Sequence, residues 1–257
     1  MKKYLISIED KNSARLEAFF AQETFNKYKD SFKSFGIKGV EVPTADYFKL
    51  AVAGRVRPLS PAELGCSLSH LSALKDFLAT DEEYACVFED DAISTKDLDL
   101  ELLIKDIKAM SLPKCLFFSL GGIQLKINDA VRGTILKQSI QDLPVLKIHP
   151  HYYKKLSYAY AYVVDREMAE LLLKFHEQPK VYDIWEELYQ YHSNPHFYAA
   201  FIFDHPEIED CRAGQSYLQN ERDAIYSTKQ CKRTVLETFK NSLLKRIYKL
   251  LLRTYPY

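Results

Sequence analysis

Two spacings of apolar residues alternate along this chain. The run Tyr4 to Ile8 reads as a strand, and Asn12 to Tyr28 sets Leu16, Phe19, Phe20 and Phe25 near one face, the spacing of a helix. Lys38 to Val42 is a second strand candidate. The segment SPAELGCSLSHLSALKDFL then carries a helix start. Ser60 is placed to cap, Pro61 takes the first helical position, and Glu63 stands three after the cap to close a capping box. Leu64, Leu68, Leu71, Leu74 and Leu78 keep the helical period beyond it.

Further along, Tyr84 to Phe88 reads as a buried strand, Leu98 to Met110 as a helix, and Cys115 to Leu120 as a strand closed by two glycines. After a polar, less regular region, strands are expected at Val145 to Ile148, Ala159 to Val164 and Phe197 to Phe203. Helices are expected over Arg166 to His176, ahead of Pro179, and over Ile184 to His192. Strands alternating with helices through the first half predict an α/β fold with a mostly parallel central sheet and helices on both faces.

Composition and charge narrow the class. At 257 residues, 47% hydrophobic and 27% charged, the chain has ordinary globular proportions, which excludes a disordered or fibrous protein. No stretch approaches the roughly 20 apolar residues of a membrane-spanning helix. The first apolar run is too short for a signal-peptide core, so the expected location is the cytoplasm. Five cysteines without a Cys-x-x-Cys pair fit reduced thiols better than a disulfide framework or a zinc site.

The zero net charge hides an asymmetry. Between Lys229 and Tyr257 there are eight basic residues and one acid, a charge of +7, which leaves −7 on the rest. The chain therefore divides into a body over 1–228 and a basic tail over 229–257. Leu236, Phe239, Leu243, Leu244, Ile247 and Leu251 form one helical stripe of that tail, apart from most of its charges. Such a helix can lie in an anionic bilayer interface, or it can pack its leucines on the body. Leucines outnumber stacking aromatics in it, so nucleic acid is not the expected partner.

Candidate chemistry starts at YACVFEDDA, where Glu89, Asp90 and Asp91 follow an apolar strand. Ligands of open α/β sheets bind beyond the carboxyl ends of the strands. Three adjacent carboxylates are costly to bury unless a cation answers them, and Mg²⁺ or Mn²⁺ binds through one or two carboxylates together with substrate phosphates. The bland alternative is a solvated acidic turn with Asp91 or Ser94 as a helix cap. Neither a phosphate loop nor a GxGxxG motif occurs, so metal rather than a glycine nest would meet phosphates here.

The order YLISIEDKNSAR, then GCSLSH, then VFEDD resembles the family 25 glycosyltransferases, in particular bacterial lipooligosaccharide galactosyltransferases. The likeness continues through SYAYAYVVDREMAELLL, PKVYD and HPEIEDCRAGQSYLQNER, over roughly the first 225 residues. It implies a GT-A-type nucleotide-sugar fold and inverting transfer of a hexose, commonly galactose, from a UDP-sugar to a lipooligosaccharide or lipopolysaccharide sugar. The enzyme would then work at the inner face of the cytoplasmic membrane. SLGGIQ lacks the Arg-Leu-Glu of some β-1,4-galactosyltransferase relatives, so acceptor and linkage are not specified.

On that resemblance Asp91 matches the last acid of the D-x-D motif and is the expected metal ligand, with Glu89 and Asp90 contacting the ribose or a metal-bound water. His205, after an apolar strand, is a candidate third ligand or a structural histidine. His70 and Ser69 either bond the donor or pack α-helix against sheet, and Arg15 either pairs with the diphosphate or stays solvated. Inversion needs a base for the acceptor hydroxyl. Asp183 is the candidate, with Glu186 or Glu187 as substitutes; alternatively Asp183 caps the next helix, with Glu186 closing its box. Trp185, Tyr182, Tyr189 and Tyr191 could form a platform for sugar faces or belong to the core. Two rivals remain: a metal-dependent phosphoesterase using the same acidic edge, and a non-catalytic membrane-associated sugar-binding or scaffold protein.

Overall fold

A computed structural model describes residues 1–123, 128–206 and 247–256. Eight strands form one mixed sheet. In chain order these are β1 (Lys2–Ile6), β2 (Phe32–Phe35), β3 (Tyr84–Glu89), β5 (Leu116–Ser119), β6 (Gly133–Ile140), β7 (Leu143–Ile148), β8 (Ala161–Asp165) and β9 (His196–Ala199). Their spatial order is β2-β1-β3-β8-β5-β9-β7-β6. The β2-β1-β3 and β5-β9 pairs are parallel, while β8 runs antiparallel between β3 and β5. A two-residue strand β4 (Ile93–Ser94) pairs antiparallel with β10 (Phe203–Asp204) in a separate small sheet.

Helices cover both faces. Strand residues alternate between them, so Ala85 and Val87 of β3 join one core while Cys86 and Phe88 join the other. The first core packs under α4 (Pro61–Leu78), α6 (Arg166–Phe175) and α7 (Trp185–Tyr191). The second packs under α1 (Ala14–Ala21), α2 (Glu23–Asn26) and α5 (Leu100–Ala109). One further short helix, α3 (Thr44–Tyr47), lies beside a small satellite core around Ala51, Leu59 and Leu64.

The capping box of α4 forms as its sequence requires. Glu63 N donates to Ser60 Oγ at 3.1 Å and Ser60 N donates to Glu63 Oε2 at 3.0 Å, while Arg57 grips the same carboxylate at 2.6 and 2.8 Å. Gly65 allows this helix to lie directly on the chain after β2. A Cβ there would sit 2.4 Å from Ile37 O and 2.7 Å from Gly39 N, both backbone atoms.

Several local expectations shift. The helix expected over Asn12 to Tyr28 breaks at Gln22, whose backbone is extended, because its side chain is used elsewhere. Gln22 Nε2 donates to Ala92 O at 3.0 Å and Oε1 accepts from Ser94 N at 2.6 Å, bracing the turn after the acidic run. The strand expected at Lys38 to Val42 is a 3₁₀ turn (Gly39–Glu41), and the strand lies earlier, at Phe32–Phe35. Strand β6 has no counterpart among the expectations. It is an edge strand with most side chains partly or fully exposed, so no apolar period marks it. The expected strand over Phe197 to Phe203 divides into β9 and β10.

Of the basic tail, residues 229–246 and Tyr257 lie outside the described residues. The remainder returns to the body. Arg253 and Gly133 exchange backbone hydrogen bonds of 3.0 and 2.9 Å, and Arg132 Nη1 donates to Leu252 O at 3.0 Å. Tyr248 and Leu252 pack on the first core, whereas Ile247, Leu250 and Leu251 are exposed. The stripe read from the sequence thus turns outward where it is described, and the opposite side of the helix makes the contact.

Candidate active site

The parallel register of β1 and β3 sets Ile6 beside Glu89, so Ser7 and the acids emerge together at the carboxyl end of the sheet. Alternation then separates the carboxylates. Glu89 turns toward α4, where its Oε1 lies 3.1 Å from His70 Nε2. Asp90 turns toward α1, where Arg15 Nε donates to its Oδ1 at 2.5 Å and Ser7 Oγ donates to its Oδ2. Asp91 Oδ2 accepts from Arg15 Nη2 at 3.0 Å and lies 3.3 Å from His205 Nε2.

The second small sheet delivers His205. Its antiparallel register places Asp204 across from Ile93, so the residue after Asp204 falls next to the turn holding Asp91. A residue separation of more than a hundred in sequence closes to hydrogen-bond distance. Sequence spacing alone could raise His205 as a candidate; the two-residue ladder is what decides it.

Electrostatics follow burial. Burial pushes the Asp90 carboxyl up to about 6, against the pull of Arg15 and Ser7, and neighbouring Asp91 adds to the rise. Burial also works to raise Asp91, but His205, Arg15 and a backbone hydrogen bond outweigh it and hold the carboxyl below its ordinary value. His205 mirrors this: burial favours the neutral ring, yet Asp91 and then Glu89 raise its pKa overall. Asp91 Oδ1 is buried and, among the described residues, has no hydrogen-bond partner. A buried carboxylate oxygen left open beside an imidazole nitrogen is a donor pair suited to a divalent cation.

A cleft of about 150 Å³ adjoins the edge. Its walls come from Ile6 to Glu9 after β1, from Ile37 to Gly39 after β2, and from Ala62, Cys66 and Ser69 on α4, with the three acids at its mouth. Ser69 lines the cleft and also braces its wall. Its hydroxyl donates to Gly65 O at 2.7 Å and accepts from Ile37 N at 2.8 Å. His70 is fully buried, with Nδ1 3.0 Å from Tyr162 OH and its ring stacked on Tyr182 at 4.1 Å.

Asp183 does not cap α7, whose N-cap is Ile184 without a side-chain bond. Its Oδ2 instead accepts from Tyr158 N at 2.9 Å. Tyr158 has a left-handed backbone, φ 72°, and its ring lies 5.7 Å from that of His205. Tyr158 thus stands between Asp183, which its N–H meets, and His205, which its ring faces. Glu186 and Glu187 are exposed on α7, and Glu187 pairs with Lys180 at 3.2 Å. Of the four aromatics, Trp185 and Tyr182 are core residues packed against Phe117, Phe197 and His70, Tyr189 packs partly buried on the same core, and Tyr191 is exposed, so they do not share one open platform.

Ser7, Cys66, Tyr162 and the Ile37 to Gly39 segment are site residues that sequence reasoning passed over. Ser7 had a signal, being the first polar residue after the β1 apolar run. Cys66 had one too, four residues before His70 on a helix. Tyr162 had none, since an apolar strand with a tyrosine in it reads as core.

Comparison with known proteins adds a family. The model of glycosyltransferase family 25 (LPS biosynthesis protein) matches residues 1–185, which includes the acidic edge and Asp183 and stops before His205. No curated protein sequence matches the chain. Among solved structures, UTP-bound UGPase from Acinetobacter baumannii aligns over 88% of this chain and 83% of that one, with 12% identity and a TM-score of 0.38, a likeness too distant to assign a fold or a ligand.

Proposed function

The chain belongs to glycosyltransferase family 25, and from that premise we propose that it is a metal-dependent, inverting hexosyltransferase of GT-A type, moving galactose from UDP-galactose to a sugar of a lipooligosaccharide or lipopolysaccharide acceptor. One observation carries the metal and nucleotide part of this reading. Asp91, whose Oδ1 is buried without a partner among the described residues and whose Oδ2 lies 3.3 Å from His205 Nε2, lines a cleft the size of a nucleobase.

The donor's base enters the cleft between the chain after β1 and the Ile37 to Gly39 segment. Glu89, oriented by His70, accepts from a ribose hydroxyl. Asp91 and His205 would hold Mn²⁺ or Mg²⁺, which when bound supplies positive charge where the diphosphate leaves. Arg15, already at the edge through Asp90 and Asp91, stands where a bidentate contact to a phosphate is possible.

Asp183 is the base. One of its oxygens is fixed by Tyr158 N–H, and the other takes the proton of the acceptor hydroxyl. That hydroxyl oxygen forms the new bond to the anomeric carbon as the carbon–oxygen bond to UDP breaks, and the electron pair leaves on the UDP oxygen. Attack opposite the leaving group inverts the centre.

A lipid-linked acceptor would be met at a membrane. Among the described residues no helix is long and apolar enough to cross one. Supporting surface contact is the outward display of Ile247, Leu250 and Leu251 beside Lys249 and Arg253 on a basic tail, which suits the anionic inner face of the cytoplasmic membrane. Flotation with anionic liposomes tests this. Wild type should float, and L250D/L251D should not; equal behaviour ends the idea.

The phosphoesterase alternative gains nothing from the geometry. Among the described residues the edge carboxylates are answered by Arg15, His70 and His205 rather than by a second cluster of oxygen ligands. Calorimetry decides the main reading. UDP should bind tightly with Mn²⁺ and weakly in chelator; equal affinity in both, or no binding, refutes it. A screen of UDP-sugars for donor hydrolysis then identifies the hexose.

A further inference from the structure

On the α4 side of the acidic edge lies a donor set of different character. Cys66 and His70 are four residues apart on α4 and share one helix face, and Glu89 meets them from the end of β3. One ligand atom from each, thiol sulfur, imidazole nitrogen and carboxylate oxygen, lies within 4.8 Å of the other two. We propose that Cys66, His70 and Glu89 bind a thiophilic divalent cation, Zn²⁺ in class, at a site separate from the Asp91 and His205 pair.

Geometry comes first. Tetrahedral zinc with bonds of about 2.0–2.3 Å keeps its ligand atoms roughly 3.3–3.8 Å apart. His70 Nε2 and Glu89 Oε1 stand 3.1 Å apart, so small side-chain movements complete the set. Three protein ligands leave the fourth position open, and Cys66 and Glu89 line the cleft through which an ion and a water would enter. Cys66 is not in a disulfide. The missing Cys-x-x-Cys pair does not weigh against this arrangement, because a helix face and a strand end supply the ligands instead of a knuckle.

A second shell is already in place. Zinc-bound histidines donate their other ring N–H to a fixed acceptor. Here Nδ1 of His70 is 3.0 Å from Tyr162 OH, which is 2.8 Å from Tyr182 OH, and all three side chains are buried. With metal on Nε2, Nδ1–H donates to Tyr162, and Tyr162 donates to Tyr182. The stacked Tyr182 ring, 11° from parallel, holds the imidazole plane.

Ligand chemistry separates the two sites. Sulfur selects zinc, whereas carboxylate and water suit Mg²⁺ and Mn²⁺. When the cation binds, the Cys66 S–H bond breaks, its proton goes to solvent, and a sulfur–metal bond forms, so affinity rises with pH. Ligation also takes Glu89 away from the ribose, making zinc and UDP mutually exclusive. This last consequence rests on the nucleotide reading of the cleft; the cation site does not.

Cobalt tests the site directly. Metal-free full-length protein is titrated with Co²⁺ while the near-ultraviolet thiolate-to-cobalt charge-transfer band is followed. One equivalent should raise the band in wild type and in Asp91→Asn, Zn²⁺ should abolish it, and Cys66→Ser should lack it. No band, or an equal band in Cys66→Ser, overturns the proposal. His70→Ala would strip a fully buried ring from the core, so Tyr162→Phe is the second variant. It should weaken zinc roughly 10- to 100-fold in competition with a chromophoric chelator, and unchanged affinity removes the second-shell argument. UDP binding is then measured with and without Zn²⁺. Zinc should lower UDP affinity in wild type but not in Cys66→Ser. A cobalt band with zinc-insensitive UDP binding would move the ribose off Glu89, and a cobalt band without any UDP binding would leave the cation site standing while the nucleotide reading falls.

Discussion

Replacing Asp90 by Asn in the metal-free protein isolates the electrostatic cost of gathering acids at one strand end. Burial raises the folded-state pKa of Asp90 from 3.8 to about 6, even with Arg15 and Ser7 attached. Between those two values the folded chain holds a proton that the unfolded chain has released, so stability is lost as pH rises through the window. The loss begins just below about pH 4 and is nearly complete above about pH 6. At about 1.4 kcal/mol for each tenfold change in proton affinity, the displacement amounts to about 3 kcal/mol. Asn cannot ionise, so the variant lacks this slope, whatever constant difference arises from its altered hydrogen bonds. Urea unfolding of both proteins in chelator, at half-unit steps from pH 4 to pH 7.5, gives the difference in unfolding free energy at each pH. Wild type should lose about 2.5 kcal/mol relative to Asp90→Asn across that range, the first few tenths having gone below pH 4, with most of the fall between pH 4 and pH 6. A flat difference curve, or one that moves in favour of wild type as pH rises, would refute the assignment of a buried, cation-seeking carboxylate.

Other consequences are open to direct measurement. Asp91→Asn and His205→Ala should each abolish the Mn²⁺ dependence of UDP binding in calorimetry and lower kcat/KM by about a hundredfold or more. Asp183→Asn should reduce kcat by about 10²–10⁴ with donor affinity kept, as a base acting only in the transition state requires; a near-normal rate would rule the residue out. Gly65→Ala should destabilise the fold by about 1–3 kcal/mol in denaturant unfolding and weaken UDP, because the new Cβ meets backbone of the cleft wall at 2.4 Å. Trp185→Ala should cost about 3–5 kcal/mol of stability from a core ring, whereas its replacement by Phe should leave acceptor KM unchanged, contrary to an acceptor platform.

Much of this was readable in the chain, and the legible parts share a cause. The α4 start, the apolar β3 and the acids after it depend on neighbours within a few residues, where caps and periodicity act. The break at Gln22 was not legible, because its cause is the turn at Ala92 to Ser94, some seventy residues away. Strand β6 was hidden for the opposite reason: an edge strand facing solvent has no need of an apolar pattern. Of the tail's stripe, Ile247 and Leu251 fall among the described residues and face outward, and which side of the tail meets the body was settled by Arg253 pairing with Gly133, a contact between distant segments.

By itself, then, the sequence determined the helix starts, the apolar strand that ends in three carboxylates, the family motifs and the basic tail, since short-range sterics and solvation act on neighbours in the chain. Tertiary structure decided where each acid points and what answers it. Pleating sends Glu89 to His70 and Asp90 to Arg15, and a two-residue ladder brings His205 to Asp91. Those pairings depend on strand order and register, and the energy that selects them lies in two cores buried on opposite faces of one sheet, which no local stretch of residues encodes.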